Sequence, residues 1–483
     1  MPPAEPETAA EPRKKLTIGM ATYDDYDGVY FTVQAIRLFH PEVTDETEII
    51  VIDNNPGGPC AKALRALCDW VKGYRYVASG LISGTAVRDY VFREASTDFV
   101  LCVDSHVLIE AGRLRQLIDY FEKDSHPGDL LQGPLVMDDM HSCFSHFEPV
   151  WRDGIYGVWE VDERAADPEN EPFDIPMQGL GLFACRRRDW PGFNPRFSGF
   201  GGEEGYIHQK FRDRGGRTLC LPFLRWMHRF ERPMGTRYEN KWEHRIRNYL
   251  IGFAELGRDS SAVEQHFGEF LDQATVDKVK AILELEKDSP FDFFEAIYCI
   301  NQDSQSARWQ VMEKQFEKLG ICYRVRRFRA VQREGTAGAR YTLSHRAIVE
   351  EASGQGYNNV LVFEDDTLFY EDALEHLANA VSELKHQDWQ VFYLGDTDSD
   401  QCHHELDGCR YLKRPIDVTC TYAIAYHSFY YDKLLTDVPA DETFDEWVKI
   451  HTTIGQYLRW TENRVVMSPV ISTQEQVIGE MPE

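Results

Sequence analysis

The sequence predicts an α/β chain with two sheets of mainly parallel strands, one in each half, joined by a helical connector. Three observations predict it. From Lys15 to Asp104, short apolar strand patterns alternate with amphipathic helical ones, the pattern of strand–helix units around a parallel sheet. The alternation restarts at Ala296 after a polar helical stretch. Each half also holds an apolar run that closes on a polar triplet: Phe99–Val103 before Asp104-Ser105-His106, and Val360–Phe363 before Glu364-Asp365-Asp366. At an extended strand end residues i and i+2 lie on the same side. Each triplet therefore offers two ligands to one divalent cation, and a diphosphate could bind that cation.

The elements follow in order. Lys15 to Ala21 reads as a strand, Tyr30 to Phe39 as a helix, and Glu48 to Asp53 as a strand with an acidic end before the turn Asn54-Asn55-Pro56-Gly57-Gly58. Ala61 to Val71 is an amphipathic helix, Tyr74 to Val77 a strand, Gly84 to Glu94 a helix and Phe99 to Val103 the next strand. Ligands of such sheets bind beyond the carboxyl ends of the strands, where Asp53 and Asp104 stand. Residues 150–200 read as a loop-rich, aromatic surface suited to an acceptor. Residues 256–290 read as the helical connector, with Val276, Val279, Ile282 and Leu283 as its apolar stripe. The second half then gives a strand at Ala296–Ile300, a helix at Ser306–Lys318, a strand near Tyr323, a helix at Ser344–Ser353, and strands at Val360–Phe363 and Trp389–Leu394. No close sequence repeat relates the halves.

A chain of 483 residues is too long for one core. The expected divisions are a disordered tail over 1–14, a first domain over 15–255, the connector over 256–290 and a second domain over 291–483. The net charge of −28 argues against nucleic acid or a membrane surface as partner. Arg186 to Arg188 and the arginines of 324–329 are small basic islands, read as solvated faces. The eleven cysteines are scattered without a CxxC pair, which fits a reducing compartment. No signal peptide and no apolar run long enough to cross a bilayer is visible, so the expected location is cytoplasmic.

Downstream of the first triplet lie Met177 to Ala184, then Phe200-Gly201-Gly202-Glu203-Glu204, then Trp226-Met227-His228-Arg229-Phe230. This series, over about residues 15–235, resembles GT-A fold glycosyltransferases, most closely the polypeptide GalNAc-transferases and the hydroxyproline GlcNAc-transferases. The resemblance implies a GT-A (Rossmann-like) domain with Asp104, His106 and His228 as metal ligands. It implies Thr22 and Asp53 at the nucleoside, Arg88 facing the nucleotide, and Glu203 or Glu204 beneath the acceptor. Bland readings stand beside these: Glu203-Glu204 as an acidic helix start, His228 as a structural histidine, Asp53 as a turn former. The series departs from the GalNAc-transferases in having Glu204 where Asn is usual, and in lacking a lectin module.

In the second half, Ile297 to Asp303, Arg308, Thr342-Leu343-Ser344-His345 and Val362 to Asp366 resemble the lipooligosaccharide β-galactosyltransferases and collagen galactosyltransferases. Tyr393-Leu394-Gly395 and Thr421-Tyr422-Ala423 extend the match. The resemblance implies a second GT-A domain. Glu364 and Asp366 would hold the metal or donor diphosphate, Asn301 and Arg308 would lie near the nucleotide, and Ser344 and His345 would build the donor pocket. Asp441 or Asp445 would serve as base, against the plainer reading of a surface acid. Ser344 as a helix N-cap is an equal alternative. Asp396, Asp398 and Asp400 read most simply as a solvated loop.

Together these give a bifunctional, Mn²⁺- or Mg²⁺-dependent glycosyltransferase with UDP-sugar donors. Its acceptor would be a glycan, a protein or a lipid-linked saccharide, and its domains would act in series. The alternative is one active N-terminal transferase with a degenerate C-terminal module that binds the acceptor.

Overall fold

Parallel strands buried on both faces organise each half, and their apolar runs carry little alternation for that reason. In the computed structural model the described residues are 13–79, 84–123, 128–231, 235, 237–238, 240–396 and 403–474. Most of the expected tail, with Asp398 and Asp400, lies outside them. The chain divides into two compact units, one ending at Val279 and the other beginning at Lys280. Both are mixed α/β. Among the described residues no helix is long and apolar enough to cross a membrane.

The strands of the first unit are β1 (Leu16–Thr22), β2 (Thr47–Asp53), β3 (Tyr74–Ala78), β4 (Phe99–Asp104), β5 (Val107–Ile109), β6 (Leu130–Gln132), β7 (Leu135–Val136), β8 (Cys143–Phe144), β9 (His146–Arg152), β10 (Ile155–Glu160), β11 (Phe173–Asp174), β12 (Leu182–Arg186), β13 (Thr218–Cys220) and β14 (Trp226–His228). The main sheet runs β11-β13-β6-β12-β4-β1-β2-β3. Strands β1 to β4 are mutually parallel where they pair, and β12 is antiparallel to both β4 and β6. Thr22 pairs with Asp53 and Ala21 with Asp104, so Thr22, Asp53 and Asp104 end on one edge. Leu16, Ile18, Met20, Val51, Leu101 and Val103 are buried beneath that edge. A side sheet, β5-β14-β7-β8, sets His228 opposite Val107.

The second unit has β15 (Ala296–Asn301), β16 (Val325–Arg329), β17 (Asn359–Glu364), β18 (Thr367–Phe369), β19 (Val391–Tyr393), β20 (His403–Glu405), β21 (Leu412–Pro415), β22 (Ala423–His427), β23 (Arg464–Met467) and β24 (Ser472–Gln474). Its sheet runs β16-β15-β17-β22-β19-β23-β21-β20. From β16 to β23, order and polarity repeat the first sheet from β2 to β13: two parallel pairings, two antiparallel, then one parallel. The short strand after each triplet pairs antiparallel with a late strand, β5 with β14 and β18 with β24.

Several expectations shift. The first helix starts at Tyr26, four residues early, because Asp25 caps it by accepting from Gly28 N at 3.1 Å. Residues 84–94 form a 3-10 turn over Thr85–Arg88 and a short helix over Asp89–Glu94. Part of the expected aromatic loop is the β9–β10 hairpin. The helix placed at Ser344 spans Ala337–Gln355, and its cap is Thr336, which accepts from Ala339 N at 3.2 Å. Ser344 is therefore not an N-cap. Within the first unit, Phe267 of the helix Ser261–Phe270 packs edge-on against Trp151.

His208, on the helix Glu204–Asp213, is fully buried. Burial drives its pKa down to about 3. A histidine kept neutral in the fold gives stability that is complete above its unfolded value near 6.5 and is lost as pH falls toward 3. The expected loss is about 1.4 kcal/mol per pH unit below 6.5. Urea unfolding at pH 7.5 and 5.5 measures it, and His208→Gln should fall by that much less than wild type across the interval.

Candidate active site

Strand β4 brings Asp104 to the carboxyl edge, and the turn after it brings His106. His228 arrives on β14. His106 Nε2 lies 3.0 Å from His228 Nε2, and His228 Nε2 lies 3.3 Å from Asp104 Oδ2. Among the described residues this is the one group of three such side chains whose ligand atoms fall within 4.8 Å of one another. Two imidazole nitrogens at hydrogen-bond distance can share only one proton, so one lone pair must face a donor. A divalent cation in that place accepts both lone pairs and the carboxylate oxygen, and the two-nitrogen, one-oxygen set suits Mn²⁺. The residues therefore fit a metal.

Behind the cluster sits Arg88, buried, with Nη2 2.9 Å from Asp104 Oδ1 and Nη1 3.7 Å from Glu203 Oε1. Burial opposes ionisation of Asp104, but Arg88 and His228 outweigh it and hold the carboxyl well below the usual range. Arg88, expected to face the nucleotide, thus clamps the strand end from within. Glu203 is 1% exposed, and its Oε2 has no partner among the described residues. Burial, then repulsion from Glu204, raises its pKa. Glu204 opens the helix Glu204–Asp213 and is likewise raised by burial. Gly201 and Gly202 have φ of +98° and +92°, which glycine adopts without strain. A Cβ on Gly201 would also meet Arg245 Nε at 2.3 Å.

Asp25 is a site residue that the sequence reading missed. Its Oδ2 lies 3.3 Å from His106 Nδ1 and accepts from Ser105 Oγ at 2.8 Å. Burial opposes its charge, yet the bonds from His106, Ser105 and Gly28 N hold its carboxyl well below normal. A carboxylate on the far nitrogen fixes the tautomer and ring direction of a metal-binding histidine. Gly28 makes room for it, because a Cβ there would sit 2.2 Å from Asp25 Oδ2. The signal available in the sequence was an Asp three residues before Gly28 at a helix start.

Thr22 and Asp53 stand side by side on the same edge, both buried. Asp53 accepts from Asn55 N at 2.9 Å and from the Tyr76 hydroxyl at 2.7 Å. Burial nevertheless raises its pKa. Thr22 Oγ1, Asp24 Oδ1, Ser79 Oγ and Thr85 Oγ1 are buried without hydrogen-bond partners among the described residues. Each such group costs about 1–3 kcal/mol unless something pairs with it. A polar ligand over the ends of β1 to β3 would supply those partners.

In the second unit, Asn301 and Arg308 converge on the middle residue of the triplet, which the sequence reading had not chosen. Asn301 Nδ2 donates to Asp365 Oδ2 at 2.6 Å, Arg308 Nη1 to Oδ1 at 3.4 Å and the Tyr341 hydroxyl to Oδ1 at 3.2 Å. Arg327, from the supposed solvated island, donates from Nε to Asn301 Oδ1 at 2.8 Å. Glu364 Oε1 accepts from the Thr421 hydroxyl at 2.6 Å and lies 3.3 Å from His345 Nε2. Asp366 Oδ2 accepts from Gln474 Nε2 at 2.9 Å, and its buried Oδ1 has no partner among the described residues. Burial, with Glu364 and Asp365 adding, pushes the Asp366 carboxyl up to about 6. The orphaned oxygen fits a cation here too. The Ser344 hydroxyl is occupied locally, donating to Arg340 O and accepting from Val331 N. Asp445 lies on the helix Phe444–His451, in an exposed ion pair with Arg333 at 2.9 Å.

The model of glycosyl transferase family 2 matches residues 17–184. Among solved structures, the chain is similar to GalNAc-T7 with UDP, GalNAc and Mn²⁺ at 13% identity, over 57% of this chain and 58% of that one, with a TM-score of 0.40. It is also similar to the mannosyltransferase PcManGT from Pyrobaculum calidifontis in complex with GDP-Man and Mn²⁺. There the identity is 14% over 65% of this chain and 85% of that one, with a TM-score of 0.35. The chain thus spans 58% of the GalNAc-T7 chain. No curated protein matches it.

Asp25→Asn keeps the shape but removes the charge behind His106. Mn²⁺ affinity should fall about 10- to 100-fold. The free Mn²⁺ signal in an electron paramagnetic resonance titration reads it. An unchanged affinity would remove Asp25 from the site.

Proposed function

We propose that the chain is a bifunctional, metal-dependent glycosyltransferase with a donor site at each polar strand end. The observation that carries this reading is the Asp104–His106–His228 cluster, seated on the carboxyl edge of a family 2 glycosyltransferase domain. The donors are UDP-sugars, and the acceptor is a hydroxyl on a glycan, a protein or a lipid-linked saccharide.

In the first unit, Asp104, His106 and His228 hold Mn²⁺ or Mg²⁺, which when bound neutralises charge gathering on the departing diphosphate. Thr22 and Asp53 bind the nucleoside, with the hydroxyls of Ser79 and Thr85 as further partners. Arg88 keeps Asp104 ionised and aimed. Glu204, at the mouth of the Gly201-Gly202 turn, orients the acceptor hydroxyl and takes its proton, a role that a raised carboxyl pKa favours. Glu203 acts behind it as the second carboxylate on Arg88. In the second unit, Glu364 and Asp366 hold the cation, Asn301 and Arg308 position the nucleotide side of the pocket through Asp365, and His345 steadies Glu364. Tethered sites raise the local concentration of the first product for the second transfer.

One observation favours a second reading, in which the C-terminal unit binds acceptor only. Asn301, at the end of β15, pairs with Arg329 on β16, whereas Thr22 pairs with Asp53. The second unit thus has an arginine where the first has its nucleoside carboxylate.

UDP release from a panel of UDP-sugars with Mn²⁺ tests both. Asp104→Asn should abolish turnover of one donor and Asp366→Ala turnover of another, each by about 100-fold or more. Should Asp366→Ala leave every donor's turnover intact, the second reading replaces the first.

A further inference from the structure

The two sheets share one plan, and their register matches residue to residue at the site. Val107, three residues beyond Asp104, pairs with His228. Thr367, three residues beyond Glu364, pairs with Gln474. The same late strands meet the next stretch of chain alike: Trp226 lies beside Leu135 in parallel, and Ser472 beside Gly395. The strand ends are tied alike too, Asp104 N donating to Gly181 O at 2.9 Å and Glu364 N to Tyr422 O at 2.8 Å. Asp104 therefore corresponds to Glu364, His106 to Asp366 and His228 to Gln474.

We propose that Gln474 is the third cation ligand of the second unit, in the place that His228 holds in the first, and that the two sites consequently select different divalent ions. The proposal rests on reading the second unit as a donor site. The contacts correspond as the register does. His228 reaches the histidine of its triplet at 3.0 Å, and Gln474 reaches Asp366 at 2.9 Å. The buried Asp366 Oδ1 has no hydrogen-bond partner among the described residues. A half-turn of the Gln474 amide about its last side-chain bond exchanges Nε2 for Oε1. The side chain then offers an acceptor to the cation that Asp366 faces. The Thr421 hydroxyl and His345 both hold Oε1 of Glu364, which fixes the direction of that carboxylate.

The donor sets differ in kind. The first unit offers one carboxylate and two imidazoles, which suit Mn²⁺ and its heavier neighbours. The second offers two carboxylates and an amide oxygen, an all-oxygen set that accepts Mg²⁺ as well as Mn²⁺. One chain would thus hold a Mg²⁺-resistant site and a Mg²⁺-exchangeable one.

Mn²⁺ titration of the full chain, followed by electron paramagnetic resonance with and without UDP, tests this without relying on turnover. Wild type should bind two Mn²⁺, and Mg²⁺ should release one of them at a concentration about tenfold or more below that needed for the other. His228→Ala should remove the resistant class. Gln474→His should make the second class resist Mg²⁺ by a similar factor, and Gln474→Leu should weaken it, circular dichroism confirming that both variants fold. Release of both ions together, or a Gln474→His chain with unchanged competition, overturns the assignment of Gln474. If Asp366→Ala leaves the number of bound Mn²⁺ unchanged, the second strand end holds no cation, and the reading of that unit as a donor site fails instead.

Discussion

A guanidinium buried behind a strand end is the interaction on which the first site depends. Arg88 is enclosed between Asp104 and Glu203, and a buried ion pair that loses one partner leaves an uncompensated charge at a cost of about 3–5 kcal/mol. Asp104 is thereby held ionised and directed at His228, which lies against His106, whose other nitrogen lies against Asp25. Each member of this relay takes its direction from the one before. Arg88 is itself placed by the Thr85–Arg88 turn. That turn begins at Gly84, where φ is +88° and a Cβ would lie 1.7 Å from Gly199 O. The glycine-rich segment around Gly199 to Gly202 therefore shapes the site from both sides, admitting Arg88 and presenting Glu203 and Glu204.

Much of this was legible because parallel strands end where ligands bind. The apolar runs before Asp53, Asp104 and Glu364 announce strands by composition alone, and the shared edge follows from the topology. His228 was legible only through resemblance, since its neighbour His106 is far away in sequence. Asp25 was hidden by doing two things at once: its cap on the first helix is a local signal, and its contact with His106 is not. The helix Ala337–Gln355 was read from Ser344, seven residues late, because Ser344 resembles a cap. In the fold Gly338 is simply inside the helix and Thr336 is the cap. Gln474 carries no signal of its own, since only the pairing of β18 with β24 brings it to Asp366 across 108 positions.

The repeated topology separates what a sheet dictates from what chemistry dictates. Strand order, polarity and the register of the flanking ribbon are common to both units, whereas nearly every charged position on the common edge differs. Arg88 bonds Asp104, while the group on Glu364 from the preceding helix is His345. Asp53 gives way to Arg329 at the end of the second strand. These exchanges are not independent. The first edge sets the triplet carboxylate Asp104 against a guanidinium and two imidazoles. The second sets three adjacent carboxylates against weaker partners: Arg308, Asn301 and Tyr341 hold Asp365, and Thr421 and His345 hold Glu364.

That leaves Asp366 as the carboxylate whose surroundings compensate it least. Gln474 donates to it as a neutral group, and burial, with Glu364 and Asp365 adding, raises its pKa to about 6 against the smaller pull of Arg308. A like-charged neighbour disfavours ionisation, and a bound cation reverses the balance. The first unit carries its own counter-charge in Arg88 and so can keep Asp104 ionised before any ion arrives. In the second unit Arg308 reaches Asp365, the residue before Asp366, and Arg327 reaches Asn301. On the same scaffold, one strand end carries its own counter-charge, and the other would gain its balance from a bound cation.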